Sequence, residues 1–138
     1  MKLMIVLFLC TLISTTKWHT NLEEGIQEVK KTDKNILLVF SGSDWCKPCI
    51  QLKENVFQSE AFKSIASKKF ALVNIDFKRD QKSTSKDIIR YNESIAEKYN
   101  PNGFFPYVLI LNQQGKVIKS IEGYKGETSN YFIDSYLK

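Results

Sequence analysis

Two cysteines three positions apart, Cys46 and Cys49, are separated by Lys47 and Pro48 and preceded by Trp45. On a helix such residues face the same side with Cβ atoms about 5–6 Å apart, so modest local adjustment brings them within reach of a disulfide. A pair this close in sequence constrains the unfolded chain little and would make a weak structural staple. Reversible exchange suits it better: a thiolate attacks a disulfide, a mixed disulfide forms, and the second thiol resolves it. At the start of a helix, unpaired N–H groups and the helix dipole favour a thiolate, and Lys47 acts in the same sense. Cys46 is therefore expected to attack, and Cys49, one turn deeper and more sheltered, to resolve. Pro48 is compatible with a first helical turn, whose N–H groups lack intrahelical partners.

Competing uses of the pair are weaker. A structural zinc site takes four ligands, and after residue 16 the chain offers Cys46, Cys49 and the lone His19, which reads as a solvated residue. Copper handling would be better served by histidine or methionine beside the motif, and neither is there. No metal or other cofactor is expected. A peptide-binding or chaperone-like module without catalysis is the remaining alternative, with Trp45, Phe104, Phe105, Tyr107 and Tyr124 as its gripping aromatics.

Compartment follows from the first residues. Lys2 precedes Leu3–Ile13, an almost wholly apolar run of eleven residues, before Ser14-Thr15-Thr16-Lys17 turns polar. A spanning helix needs about 20 apolar residues, so residues 1–16 read as a secretory signal peptide cleaved near Ser14 or Thr16. The chain is expected to be exported, to a periplasmic or extracellular space. Lipid anchoring at Cys10 is disfavoured, because Leu9 stands where a small residue is wanted and the apolar run continues past the cysteine. Loss of the leader turns three cysteines into one pair and a net charge of +5 into +4. The lysines are interspersed with acids and form no stripe with aromatics, so nucleic-acid binding gains no support.

With 138 residues, 43% of them hydrophobic, there is room for one domain over 17–138. The cysteines need a junction to hold them, and the flanking pattern supplies it. Ile36–Phe40 is a continuous apolar run suited to a strand buried on both faces. Ser41-Gly42-Ser43-Asp44 is turn chemistry, and Ile50, Leu52, Val56 and Phe57 continue as a helix. A first helix starts at a capping box of Thr20 and Glu23. Ser59 caps a helix carrying Phe62, Ile65 and Ala66, and Phe70–Asp76 is a strand. Phe77–Asp87 reads as a solvated charged loop, and a helix through Ile95, Ala96 and Tyr99 stops at Asn100-Pro101-Asn102-Gly103. Tyr107–Leu111 and Lys116–Ile121 form a hairpin, and Thr128 caps a last helix. Alternating helices and strands imply an α/β domain whose mixed sheet has parallel pairs and an antiparallel edge.

Trp45-Cys46-Lys47-Pro48-Cys49 resembles the active-site motif of the thioredoxin superfamily, with lysine in place of glycine. Three further segments match in order: Val73-Asn74-Ile75-Asp76 is similar to the central strand, Phe105-Pro106-Tyr107 to the cis-proline segment, and Gly123 to a glycine flanking the site. The resemblance covers residues 20–138, with Lys78–Lys86 as an insertion, and is nearest to exported bacterial thioredoxin-like proteins with a Gly-Ser-Asp-Trp-Cys segment, here Gly42–Cys46. It implies a thioredoxin fold, with a central mixed sheet of about four strands flanked by helices, and a protein thiol-disulfide oxidoreductase. Its catalytic residues would be Cys46 and Cys49, and Trp45, Lys47, Pro48, Phe105, Pro106 and Gly123 would bind substrate. It further implies protein or peptide disulfides as substrates, a separate redox partner and a monomer. Sequence alone would make Phe105-Pro106 trans, since trans is preferred by about 0.5–1 kcal/mol; the resemblance implies cis. Thioredoxin carries a buried aspartate and a lysine near its resolving cysteine, where this chain has Val39 or Phe40, and Leu72. The two polar members are missing together, which spares either one burial as an unpaired charge.

Overall fold

The apolar run Ile36–Phe40 lies at the centre of the sheet. In the computed structural model, which describes residues 16–138, it belongs to β2 (Asn35–Ser41). On one side β2 pairs in parallel with a strand at Phe70–Asp76, and on the other antiparallel with one at Tyr107–Leu111. All five residues of the run are 3% exposed or less. Each such side chain contributes about 1.5–3 kcal/mol by burial, so a strand covered on both faces anchors the domain. Alternation divides the run: Leu37 and Val39 enter one core cluster, and Ile36, Leu38 and Phe40 enter the other.

Five strands make up the mixed sheet, in keeping with the about four expected. They are β1 (Trp18–His19), β2, β3 (Phe70–Asp76), β4 (Tyr107–Leu111) and β5 (Val117–Glu122), in the order β1-β3-β2-β4-β5. β1 is parallel to β3 and β5 antiparallel to β4. One face carries α1 (Leu22–Val29) and α4 (Lys86–Tyr99), through Leu22, Val29, Ile95 and Tyr99. The other carries α2 (Lys47–Leu52), α3 (Glu60–Lys69) and α5 (Ser129–Phe132), through Leu52, Phe62 and Phe132. α2 runs on into a π-helical turn, Lys53–Phe57. Trp18, Phe57 and Phe62 pack together beneath that turn, with ring centroids 4.9–6.3 Å apart, and so seat α2 on the sheet.

Three local expectations are corrected. The capping box of Thr20 and Glu23 does not form; Asn21 is the cap of α1, its side-chain oxygen accepting the Glu24 N–H at 2.9 Å. Asn is as good a cap as Thr, and it is the residue in extended conformation immediately before the helix. α4 begins at Lys86, capped by Ser85, so the last two residues of the expected loop are helical. The signal peptide and Cys10 lie outside the described residues. Among the described residues no helix is long and apolar enough to cross a membrane.

The third correction concerns His19, which is 6% exposed and not solvated. β1 pairs His19 with Val73, and α1 packs close to the same strand because a Cβ on Gly25 would lie 2.6 Å from Val73 Cγ2. The imidazole then meets α1: Nδ1 lies 2.9 Å from Glu24 Oε2 and Nε2 2.7 Å from Glu28 Oε2. Carboxylates only accept, so both bonds form only when both ring nitrogens donate. The His19 bond, and after it the Asn21 bond, hold the Glu24 carboxyl below its usual range. A carboxyl lowered on folding contributes stability above its unfolded value that is lost as pH falls through the folded one. His19→Gln removes the ring that bridges Glu24 and Glu28 and is therefore expected to lower Tm, with the part owed to Glu24 lost as pH falls through its folded value. Thermal melts from neutral to acidic pH check it, and equal melting temperatures at neutral pH would contradict it.

Candidate functional site

The chain leaves β2 at Ser41 and turns at once. Gly42 O accepts the Trp45 N–H at 3.3 Å and the Cys46 N–H at 2.9 Å, which closes a turn between strand and helix. Cys46 is the cap of α2, extended at φ −91° and ψ 97°, and its sulfur accepts the Cys49 N–H at 3.3 Å. Cys46 and Cys49 are joined as a disulfide with Cα atoms 5.2 Å apart. The expected difference in shelter is absent, since Cys46 is 4% and Cys49 6% exposed. The bond holds both sulfurs against the helix start, so exposure does not distinguish them. What does is the amide: Cys46 Sγ receives a helix-terminal N–H, an arrangement that favours negative charge on that sulfur.

Phe105-Pro106 is a cis peptide bond. Pro106 is buried, and it lines a groove of about 720 Å³ together with Cys49, Val39 and Ser41. Gly123, at φ +71°, donates its N–H to Pro106 O at 2.8 Å, so the segment after β5 is tied to the proline. Phe105 meets Trp45 edge to face at 5.3 Å between centroids. Trp45 is 38% exposed although large and apolar, Lys47 is exposed and Pro48 half-buried. The sequence-predicted site residues are thus gathered around the end of β2. Among the expected aromatics, Tyr124 is instead a core residue, packed on Phe132.

Comparison with known proteins places this geometry. Residues 17–113 match the model of a family described as thioredoxin-like. The chain belongs to that thioredoxin-like family. It is 33% identical over 94 residues to a protein named disulfide bond reductase DsbH of Chlamydia pneumoniae, covering 67% of this chain and 55% of that one. It is 27% identical over 118 residues to the thioredoxin-related protein DsbJ of the same organism, covering 86% of this chain and 33% of that one. This chain therefore spans between a third and just over half of those relatives. A solved DsbH oxidoreductase superposes with a TM-score of 0.78 at 25% identity, covering 88% of this chain and 81% of that one.

The surroundings of Cys49 on the sheet side are apolar. Val39 lines the same groove as Cys49, whereas Phe40 faces the opposite core. Leu72 is buried in the same cluster as Val39. On the strands, the polar groups of the groove include Ser41 and Asn74, where Ser41 Oγ donates to Asn74 Oδ1 at 2.8 Å. Among the described residues, no three side chains of the ligating types come together as a metal site.

Sequence reasoning missed a second set of residues. Asp76, at the end of β3, accepts from Ser43 N–H at 2.9 Å and from Ser43 Oγ at 2.6 Å. Phe77 donates its N–H to Ser41 O at 2.8 Å, and Trp45 Nε1 donates to Phe77 O at 2.6 Å. Asp44 accepts the Arg79 and Asp80 amides, one on each oxygen, at 2.9 Å, and Arg79 lies over the Trp45 ring at 5.6 Å. Those amides, Asp80 first, hold the Asp44 carboxyl below its ordinary range. The only trace in the sequence is the Ser-Gly-Ser-Asp turn and the tryptophan after it, whose partners lie 32–36 residues away.

Proposed function

We propose that this chain is a thiol-disulfide oxidoreductase acting on disulfides of exported proteins, with Cys46 as nucleophile and Cys49 as resolving thiol. The observation that carries the reading is the bonded Cys46–Cys49 pair at the start of α2, with the Cys49 amide directed at Cys46 Sγ. In the reduced chain the same amide and the helix terminus favour the Cys46 thiolate. That thiolate attacks one sulfur of a substrate disulfide, forming a mixed disulfide and releasing the other sulfur as thiolate. Cys49, deprotonated, then attacks Cys46, which closes the intramolecular bond and releases the second substrate thiolate. Two electrons pass from the pair to the substrate, and a separate thiol donor must restore the pair. Likeness to a protein named as a disulfide bond reductase favours this direction over oxidation.

Pro106 lines the groove with Cys49, Gly123 is bonded to Pro106 and Phe105 packs on Trp45, and these four would receive an extended substrate segment, with Lys47 and Pro48 at its edge. With Val39 and Leu72 apolar, no buried carboxylate stands beside Cys49, so water entering the groove past Ser41 and Asn74 would take its proton. The leader at residues 1–16 fits a mature domain of 17–138 in an exported, disulfide-permissive compartment. Catalysed reduction of insulin by dithiothreitol is the expected result. The reading fails if no catalysed rate is seen and the pair has a reduction potential below about −300 mV, the range of structural disulfides.

A further inference from the structure

The segment after β3 was expected to be a solvated charged loop, and its backbone is instead fastened to the active-site turn. Phe77 bonds Ser41, Trp45 bonds Phe77, and Asp44 grips the amides of residues 79 and 80. A short 3₁₀ turn at Gln81–Ser83 follows, with Asp80 accepting the Lys82 N–H at 3.1 Å. The fastened segment carries Lys78, Arg79 and Lys82, all exposed, and Lys47, exposed too, directly follows Cys46 in the chain. Lys78 lines the same groove as Cys49 and Pro106. Among the described residues none of these four cations is held in an ion pair.

The acids nearby are differently disposed. Both oxygens of Asp44 receive amides, both oxygens of Asp76 are bonded by Ser43, and one oxygen of Asp80 caps the 3₁₀ turn. The remaining charges on the groove are Lys53, Glu54 and Lys63, and Lys63 is paired with Glu60 at 3.4 Å. The three carboxylates keep their charge but their oxygens are turned into the turn's own amides and hydroxyl, whereas among the described residues Lys47, Lys78 and Lys82 are exposed without an acidic partner, so the cations are what the rim presents outward. Because its backbone is held, that rim stands at a set position relative to the sulfurs.

We infer that residues 78–82, clamped by Asp44 and Trp45, form a cationic lip that selects substrates with acidic residues flanking the disulfide. The inference rests on the redox reading above. Charge complementarity at the rim of a groove raises encounter rates and falls with ionic strength, as exposed pairs are screened within about 10 Å at 0.1 M salt.

Three disulfide peptides of one sequence, flanked by glutamates, glutamines or lysines, test it through kcat/KM at low salt. The acidic peptide is expected to react roughly tenfold faster than the basic one, at the lower end of electrostatic steering. In Lys78→Glu/Lys82→Glu that ratio should approach one or invert. Equal rates for the acidic and basic peptides in the wild type, or an unchanged ratio in the variant, overturn the lip while leaving the redox reading standing. Failure to reduce any of the three overturns the redox reading and the lip with it. Asp44→Asn separates position from charge: it removes a negative charge, so simple electrostatics would raise the acidic preference, whereas a released lip lowers it. A raised ratio would overturn the clamp.

Discussion

Cys46→Ser is expected to reduce turnover by at least about 10³-fold, while Cys49→Ser retains the first attack and stops at the mixed disulfide, because the thiolate and not the thiol or hydroxyl is the nucleophile. Burial gives no reason to choose between the sulfurs, at 4% and 6% exposure. The choice rests on the amide of Cys49, which points at Cys46 Sγ, and on the position of Cys46 at the cap of α2. Removing Cys49 leaves that amide in place, so Cys46 should still ionise and attack. Without a resolving thiol, the partner stays attached. Cys49→Ser should therefore accumulate covalent complexes that dithiothreitol releases, and Cys46→Ser should not. The opposite pattern, with partners held through Cys49 in Cys46→Ser, would reverse the roles; Cys49 does line the groove.

The same residues show what could be read in advance. A continuous apolar run announces a strand covered on both faces, and Ile36–Phe40 is one. Caps are local, so Ser59 and Thr128 were legible; each accepts the N–H three residues on. The cysteine pair was legible because its spacing, Pro48 and the turn before it are all local. The cis bond at Phe105-Pro106 was not a matter of local preference, and only the resemblance pointed to it.

What escaped were contacts between distant segments. A two-residue strand has no period, so β1 left no signal, and with β1 unseen His19 had no reason to be buried. The charged residues 78–86 met the ordinary expectation for a charge run. Asp44 accepts the amides of residues 79 and 80, and nothing local shows that a carboxylate in one turn will collect amides 35 and 36 residues later. Composition described that segment's side chains correctly and its backbone wrongly.

Gly42→Ala carries the second large effect. A Cβ at residue 42 would lie 2.2 Å from Trp45 Cε2 and 2.3 Å from Nε1, so the indole lies against the glycine backbone and has to leave. Overpacking of this kind costs about 1–3 kcal/mol. The displaced ring also gives up its bond to Phe77 O, its edge contact with Phe105 and its place beneath Arg79. A lost hydrogen bond adds about 1 kcal/mol, and more where the carbonyl is left without water. Turnover should fall as well, since the ring is proposed to line the substrate groove. Double-mutant comparison isolates the cause: in a Trp45→Ala background there is no indole to displace, so Gly42→Ala should be nearly neutral there. An equal loss of stability in both backgrounds would mean that the turn itself, and not the tryptophan, requires glycine. A loss confined to the wild-type background would identify Gly42 as the seat that holds Trp45 between the cysteine pair and the fastened loop.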